Sequence, residues 1–186
     1  MIHIDVSVVL RRRVSEYYSD LVTRPTGAAV RAGIEEQLAG SGGVSMIVID
    51  FSNVGLLDFS CADEIVAKLL LRCHSADSGV AGERYFLVRG LSEDHLEAIE
   101  QVLERQGLAL VAEEFEGAVR LVGAVDEPER LARESLRSDT RPQPDRVAEE
   151  LSISASEAAR LLERLHNRRL CMRKDDLYVS FGGNVS

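Results

Sequence analysis

Three cysteines, Cys61, Cys73 and Cys171, are all that this chain of 186 residues carries, and they share no close spacing. An odd and scattered set excludes both a disulfide framework and a zinc-binding repeat. The four histidines, His3, His74, His95 and His166, are equally dispersed, so neither a metal nor a cofactor is expected. Long apolar runs are missing too. Nothing approaches the ~20 residues a membrane-spanning helix needs, and no membrane association is expected. At the N-terminus the apolar stretch Met1–Leu10 precedes the charges of Arg11, Arg12 and Arg13, the reverse of a secretory signal. The expected location is the cytoplasm. Internal repeats, low-complexity tracts and carboxylate pairs spaced for acid–base chemistry are absent as well. Cys61 follows a strand but has no bracketing glycine, so it does not form a nucleophile elbow and is expected to be a small packed residue. The expectation is a protein without enzymatic activity.

What is present suits a globular protein: 45% of the residues are hydrophobic and 28% charged. The net charge of -9 is unevenly spread. Residues 1–140 hold 14 basic and 24 acidic side chains, a balance of -10, whereas residues 141–186 hold 8 basic and 7 acidic, a balance of +1. The acidic first part argues against nucleic acid as its own partner, because phosphate neutralisation needs Lys and Arg.

Ile2 to Leu10, rich in Ile and Val, reads as a strand. Thr23-Arg24-Pro25 opens a helix through Val30, Ile34 and Leu38, which Gly40 to Gly43 should end. Met46 to Asp50 is an unbroken apolar run of the kind buried on both faces of a sheet. A helix with a stripe at Ala62, Ile65, Val66, Leu69 and Leu70 follows. Tyr85–Val88 is the next strand, and Ser92 opens a helix closed by Gly107. Leu108–Val111 and Ala118–Val122 complete the set. The order β-α-β-α-β-α-β-β predicts an α/β domain over residues 1–123, a mainly parallel sheet flanked by helices. Residues 124–144 read as a connector, a charged helix over 127–137 and then Thr140 to Pro144, where two prolines should keep the chain out of helix. Residues 145–186 form a second, small domain.

That last stretch carries a helix-turn-helix pattern. Asp145 caps a first helix with Val147, Ala148 and Leu151 on its apolar face. Ser154 and Glu157 form a capping box for a second, which buries Ala158, Leu161 or Leu162, and Leu165. Leu170 to Phe181 reads as two short strands around Asp175-Asp176. Over this region the sequence resembles the winged helix-turn-helix of bacterial regulators. The resemblance implies DNA contact through Ser156, Arg160 and Arg164 on the second helix and Arg168, Arg169, Arg173 and Lys174 at its end and in the wing. A solvated helix face on a protein–protein module is the other account of the same residues, and Glu157 and Glu163 beside that face favour it.

In the first domain, Ile47 to Leu70 holds the most informative segment. Asp50-Phe51-Ser52 ends the strand, and Asp58, Phe59, Ser60, Cys61 and Ala62 open the helix. The pattern resembles the STAS domain of anti-sigma-factor antagonists, in its divergent STAS-like branch, over residues 20–112. Asp58 falls on the family's Asp and Ser60 on its second Ser, while Phe59 replaces the first Ser and Cys61-Ala62 replace Gly-Leu. Thr23-Arg24-Pro25 matches the helix start of that branch. The resemblance implies a non-catalytic regulator whose loop, with Asp58, Ser60 and Asp63, docks on a protein partner such as an ATPase-type kinase or anti-sigma factor. It further implies that phosphorylation of Ser60 controls the docking; a phosphate adds roughly -1.5 to -2 charge. The residues alone offer a second account: Ser60 and Asp63 form a capping box that satisfies helix amides. A DNA-binding regulator whose α/β domain senses a signal or forms a homodimer is the alternative function.

Overall fold

The computed structural model describes residues 1–39, 45–74, 83–114, 117–136 and 143–182. Five strands form one mixed sheet: β1 (Ile2–Asp5), β2 (Ser45–Asp50), β3 (Arg84–Arg89), β4 (Ala109–Glu113) and β5 (Val119–Gly123). Their spatial order is their chain order, β1-β2-β3-β4-β5. The first four are parallel, and β5 returns antiparallel to β4. Each new strand is added on the same side, and with the right-handed crossovers that parallel strands almost always take, every crossover helix falls on one face of the sheet. These helices are α1 (Val6–Arg13), α2 (Arg24–Ala39), the continuous run of α3 (Phe59–Ala62), a π-helical stretch (Asp63–Ala67) and α4 (Lys68–His74), and α5 (Glu93–Gln106). They enclose a cluster of Ile4, Ile34, Ile47, Ile49, Ile65 and Ile99 with their neighbours.

The opposite face would be bare, and the C-terminal part of the chain covers it. Helices α6 (Glu127–Ser135), α7 (Gln143–Leu151) and α8 (Ala155–Asn167) and a hairpin of β6 (Met172–Lys174) and β7 (Leu177–Val179) lie there. Val48, Tyr85, Leu87, Val111 and Leu121 of the sheet share one buried cluster with Val147, Leu162, Leu165, Leu170 and Phe181. Ala132 of α6 belongs to the same cluster, so the stretch read as a connector contains a packed helix. Among the described residues no helix is long and apolar enough to cross a membrane.

Two local expectations are corrected. Ile2–Leu10 is not one strand: Asp5 ends β1 and caps α1, its carboxylate accepting from the amides of Ser7 (2.8 Å) and Val8 (3.2 Å). Val6, Val9 and Leu10, at helical spacing, are then buried, and Gly33 admits the helix, since a Cβ there would fall 2.6 Å from Val9 Cγ1. Asp145 does not cap α7, which starts at Gln143 and holds Pro144 in its first turn. Proline is tolerated there because first-turn amides have no intrahelical partner to lose. The expected stop at Gly40–Gly43 and the stretch from Thr140 to Pro142 lie outside the described residues. At the hairpin tip Asp175 and Asp176 both take positive φ, 49° and 64°, the two-residue turn that matches strand twist.

Candidate functional site

The loop from β2 into α3 is fastened to the loop from α1 into α2. Leu21 N donates to Leu56 O, Asp58 N to Leu21 O and Gly55 N to Ser19 O, each at 2.8 Å. The Asp20 carboxylate accepts from Leu56 N at 3.1 Å. On the far side His95, in the first turn of α5, meets the Gly55 carbonyl at 2.8 Å through Nε2. The segment is thereby held as a defined strand-to-helix corner.

At the corner Asp58 is the N-cap, with its Oδ1 accepting from Cys61 N at 2.8 Å. The Ser60 hydroxyl donates to both carboxylate oxygens, at 2.9 and 3.1 Å. The helix therefore begins two residues earlier than a Ser60–Asp63 capping box requires, and that expectation is corrected: Ser60 lies inside the first turn and gives its proton to the cap. Burial raises the Asp58 pKa, but the bonds from Cys61 and Ser60 outweigh it and hold the carboxyl below its ordinary value. Ser60 is partly exposed.

Asp63 is not on the outward corner. It is 5% exposed and Glu64 3%, and within the π-helical stretch both turn towards α2. Arg24 Nη1 lies 2.8 Å from an oxygen of each. Arg31 and Lys68 also pair with Glu64, and Arg105 approaches Asp63 at 3.6 Å. Arg24 is thus a cation for buried acids, not a free anion site. The close packing of α2 on α3 needs Gly27, where a Cβ would fall 3.0 Å from Cys61 Cα. The Cys61 thiol donates to Thr23 O at 3.0 Å. Burial and then the charge of Asp58 push its pKa up to about 11, which leaves it protonated and unreactive.

The two fastened loops and the start of α3 hold half of the large apolar side chains that the described residues leave exposed. Tyr17, Tyr18, Val22, Leu56 and Phe59 are all exposed, Tyr17 at 87% and Phe59 at 50%. Tyr17 and Tyr18 were not singled out from the sequence; paired tyrosines with no apolar partner at helical or strand spacing were the available signal.

The second set of predicted residues divides. Ser156, Arg160 and Lys174 are exposed. Arg164 lies 2.8 Å from Asp126 and 3.1 Å from Glu129. Arg168 Nη1 donates to both Glu129 oxygens at 2.7 and 2.6 Å, and its Nη2 donates to Ala124 O at 2.6 Å. Arg169 pairs with Glu83 at 2.8 Å and lies over the Tyr85 ring. Arg173 pairs with Asp176 of its own hairpin at 2.8 Å. A cavity of about 400 Å³ between α6 and α8 is lined by Pro128, Ile153, Glu157, Arg160, Leu161 and Arg164. The acidic partners Glu83, Asp126 and Glu129 were not singled out from the sequence, and their distance along the chain gives no local sign of the pairing. Among the described residues no cluster of His, Cys, Asp and Glu could hold a metal ion.

No known family model, no curated protein and no solved structure matches the chain.

Proposed function

We propose that this protein is a non-catalytic cytoplasmic regulator that binds a protein partner through the corner at Asp58–Ser60. In this reading the sheet is STAS-like, the C-terminal unit is a winged helix, and the partner is an ATPase-type kinase or anti-sigma factor. One observation carries it: exposed Tyr17, Tyr18, Val22 and Leu56 sit on the two hydrogen-bonded loops, and exposed Phe59 stands beside Ser60 in the first turn of the helix they lead into. Exposed apolar side chains gathered in one place mark interaction surfaces. Fully burying a side chain such as Leu or Phe contributes roughly 1.5–3 kcal/mol, so Leu56 and Phe59 together can anchor a partner. A phosphate on Ser60 would stand beside the ionised Asp58 and displace the hydroxyl proton that bonds it. Repulsion there alters the corner and the surface around it.

A photo-crosslinking amino acid at position 56 in living cells tests the reading. One protein adduct is expected, lost with Ser60→Asp and weakened with Asp58→Ala. An adduct indifferent to both changes, or none, overturns it; an adduct with a second copy of the chain would replace the partner with a homodimer. Phosphosite mapping at Ser60 reports separately on the kinase.

A further inference from the structure

We propose that α8 is a DNA-backbone-binding helix held shut by α6, with Asp126 and Glu129 occupying Arg164 and Arg168 in place of DNA phosphates. Arg160, Arg164 and Arg168 recur at four-residue spacing and so form one stripe along α8, about 6 Å between successive side chains. The α6 start lies along that stripe. Two of the three arginines end on its carboxylates at 2.6–3.1 Å, the geometry a guanidinium makes with a phosphate oxygen. The third, Arg160, lines the cavity between the two helices beside Glu157, whose charge it feels, but it ends on no carboxylate of α6. Glu83 holds Arg169 in the same manner at the start of β3. The cations are therefore present, aligned and neutralised by the protein itself.

The clamp is also the cap of α6. Asp126 Oδ1 accepts from Glu129 N at 2.9 Å, and Glu129 Oε2 accepts from Asp126 N at 3.2 Å. Freeing Arg164 and Arg168 thus requires the first turn of α6 to give way, a coupled event rather than the drift of a single side chain. The two halves of the clamp differ in strength. Asp126 and Arg164 are about half exposed (50% and 48%), whereas Glu129 is 2% exposed; an exposed pair contributes little and a buried one resists release. This inference concerns the C-terminal unit and does not depend on the corner at Ser60.

Binding of a fluorescein-labelled, mixed-sequence DNA duplex, followed by anisotropy between about 50 and 200 mM salt, tests it. In the wild type Arg160 and Lys174 are the described cations of α8 and its hairpin that no carboxylate holds in a salt bridge, giving a slope of log affinity against log salt near about -1.8, at about -0.9 per phosphate contact. Asp126→Asn with Glu129→Gln should steepen the slope to about -3.6 and raise low-salt affinity at least tenfold. Adding Arg164→Ala to that double variant should take back about 0.9 of the gain. Should the double variant fail to fold by circular dichroism, Asp126→Asn and Glu83→Gln, at partly exposed positions, serve instead, with a two- to fivefold gain from each. Slopes and affinities that stay at the wild-type level in the folded variants, or no DNA binding by any of them, overturn the proposal.

Discussion

The two faces of the sheet are built in different ways. On the crossover face the helices are supplied by the segments between strands, and the packing is mainly aliphatic, through Val30, Ile34, Ile47, Ile65, Leu69 and Ile99, with Asp63 and Glu64 tied to Arg24 and Arg31 between helices and Arg84 of β3 donating to Leu38 O at 2.7 Å. The other face is covered by a unit that arrives only after the last strand, and polar ties run through its apolar contact. Arg133, 3% exposed, donates to Leu170 O at 2.9 Å and Phe181 O at 2.6 Å. The Tyr85 hydroxyl donates to Glu83 at 2.6 Å, and Glu129 is buried with its arginines. Aliphatic packing tolerates small adjustments, whereas directed polar contacts hold one arrangement or fail. Both faces carry such ties; on the second they fix a unit that no crossover anchors to the sheet.

The largest expected effect lies on the crossover face. Ile65→Ala removes a fully buried side chain and should cost about 2–5 kcal/mol of global stability, read by urea denaturation. The whole chain should unfold at lower denaturant in one transition. Next, Arg133→Ala leaves two buried carbonyls without donors. A loss of about 2–4 kcal/mol is expected, with hydrogen-exchange protection falling in α7, α8 and the hairpin before the sheet. Equal loss on both faces would show that the difference between them is not energetic. Asp58→Ala removes the α3 cap and should cost about 0.5–2 kcal/mol. The pH profile sharpens the point. Burial raises the pKa of Asp5, Asp50 and Asp58, but hydrogen bonds outweigh it, and all three are held below their ordinary values. A depressed carboxyl contributes stability above its unfolded pKa of about 3.9 and loses it as the pH falls through the folded value. Acid melting curves should therefore fall below about pH 4, and Asp58→Asn should flatten that fall. The smallest effect belongs to Phe59→Ala, at a half-exposed position. Stability should change by about 0.5 kcal/mol or less while the crosslinked adduct at position 56 is lost.

Much of the α/β order was legible because β2, β3 and β4 are short apolar runs buried on both faces, and the helix start at Ser92 and the Ser154 capping box stand in the sequence as they do in the structure. Val6 to Leu10 misled because β-branched residues favour strands, and one carboxylate, Asp5, was enough to turn them into a helix. The strand-to-helix corner was readable from Asp50 to Ala62. Its cap was assigned to Ser60 because a hydroxyl and a carboxylate three residues apart make the same pattern that Asp58 satisfies more directly. Asp63 was placed with the corner because sequence neighbours need not share a surface, and a π-helical stretch turns it towards Arg24. The arginines of α8 were visible as cations. Their neutralisation was not, because Asp126 and Glu129 lie 38 and 39 residues before Arg164 and Arg168.

A strand order that never doubles back has a consequence during synthesis. By the time β5 has left the ribosome, the sheet and its crossover helices can assemble, yet Tyr85, Leu87, Val111 and Leu121 still lack the residues that cover them. The nascent chain must carry an uncovered, sticky surface until Leu162, Leu165, Leu170 and Phe181 emerge, and exposed surface of this kind favours aggregation. A release product ending before α7 should accordingly be the form that chaperones retain.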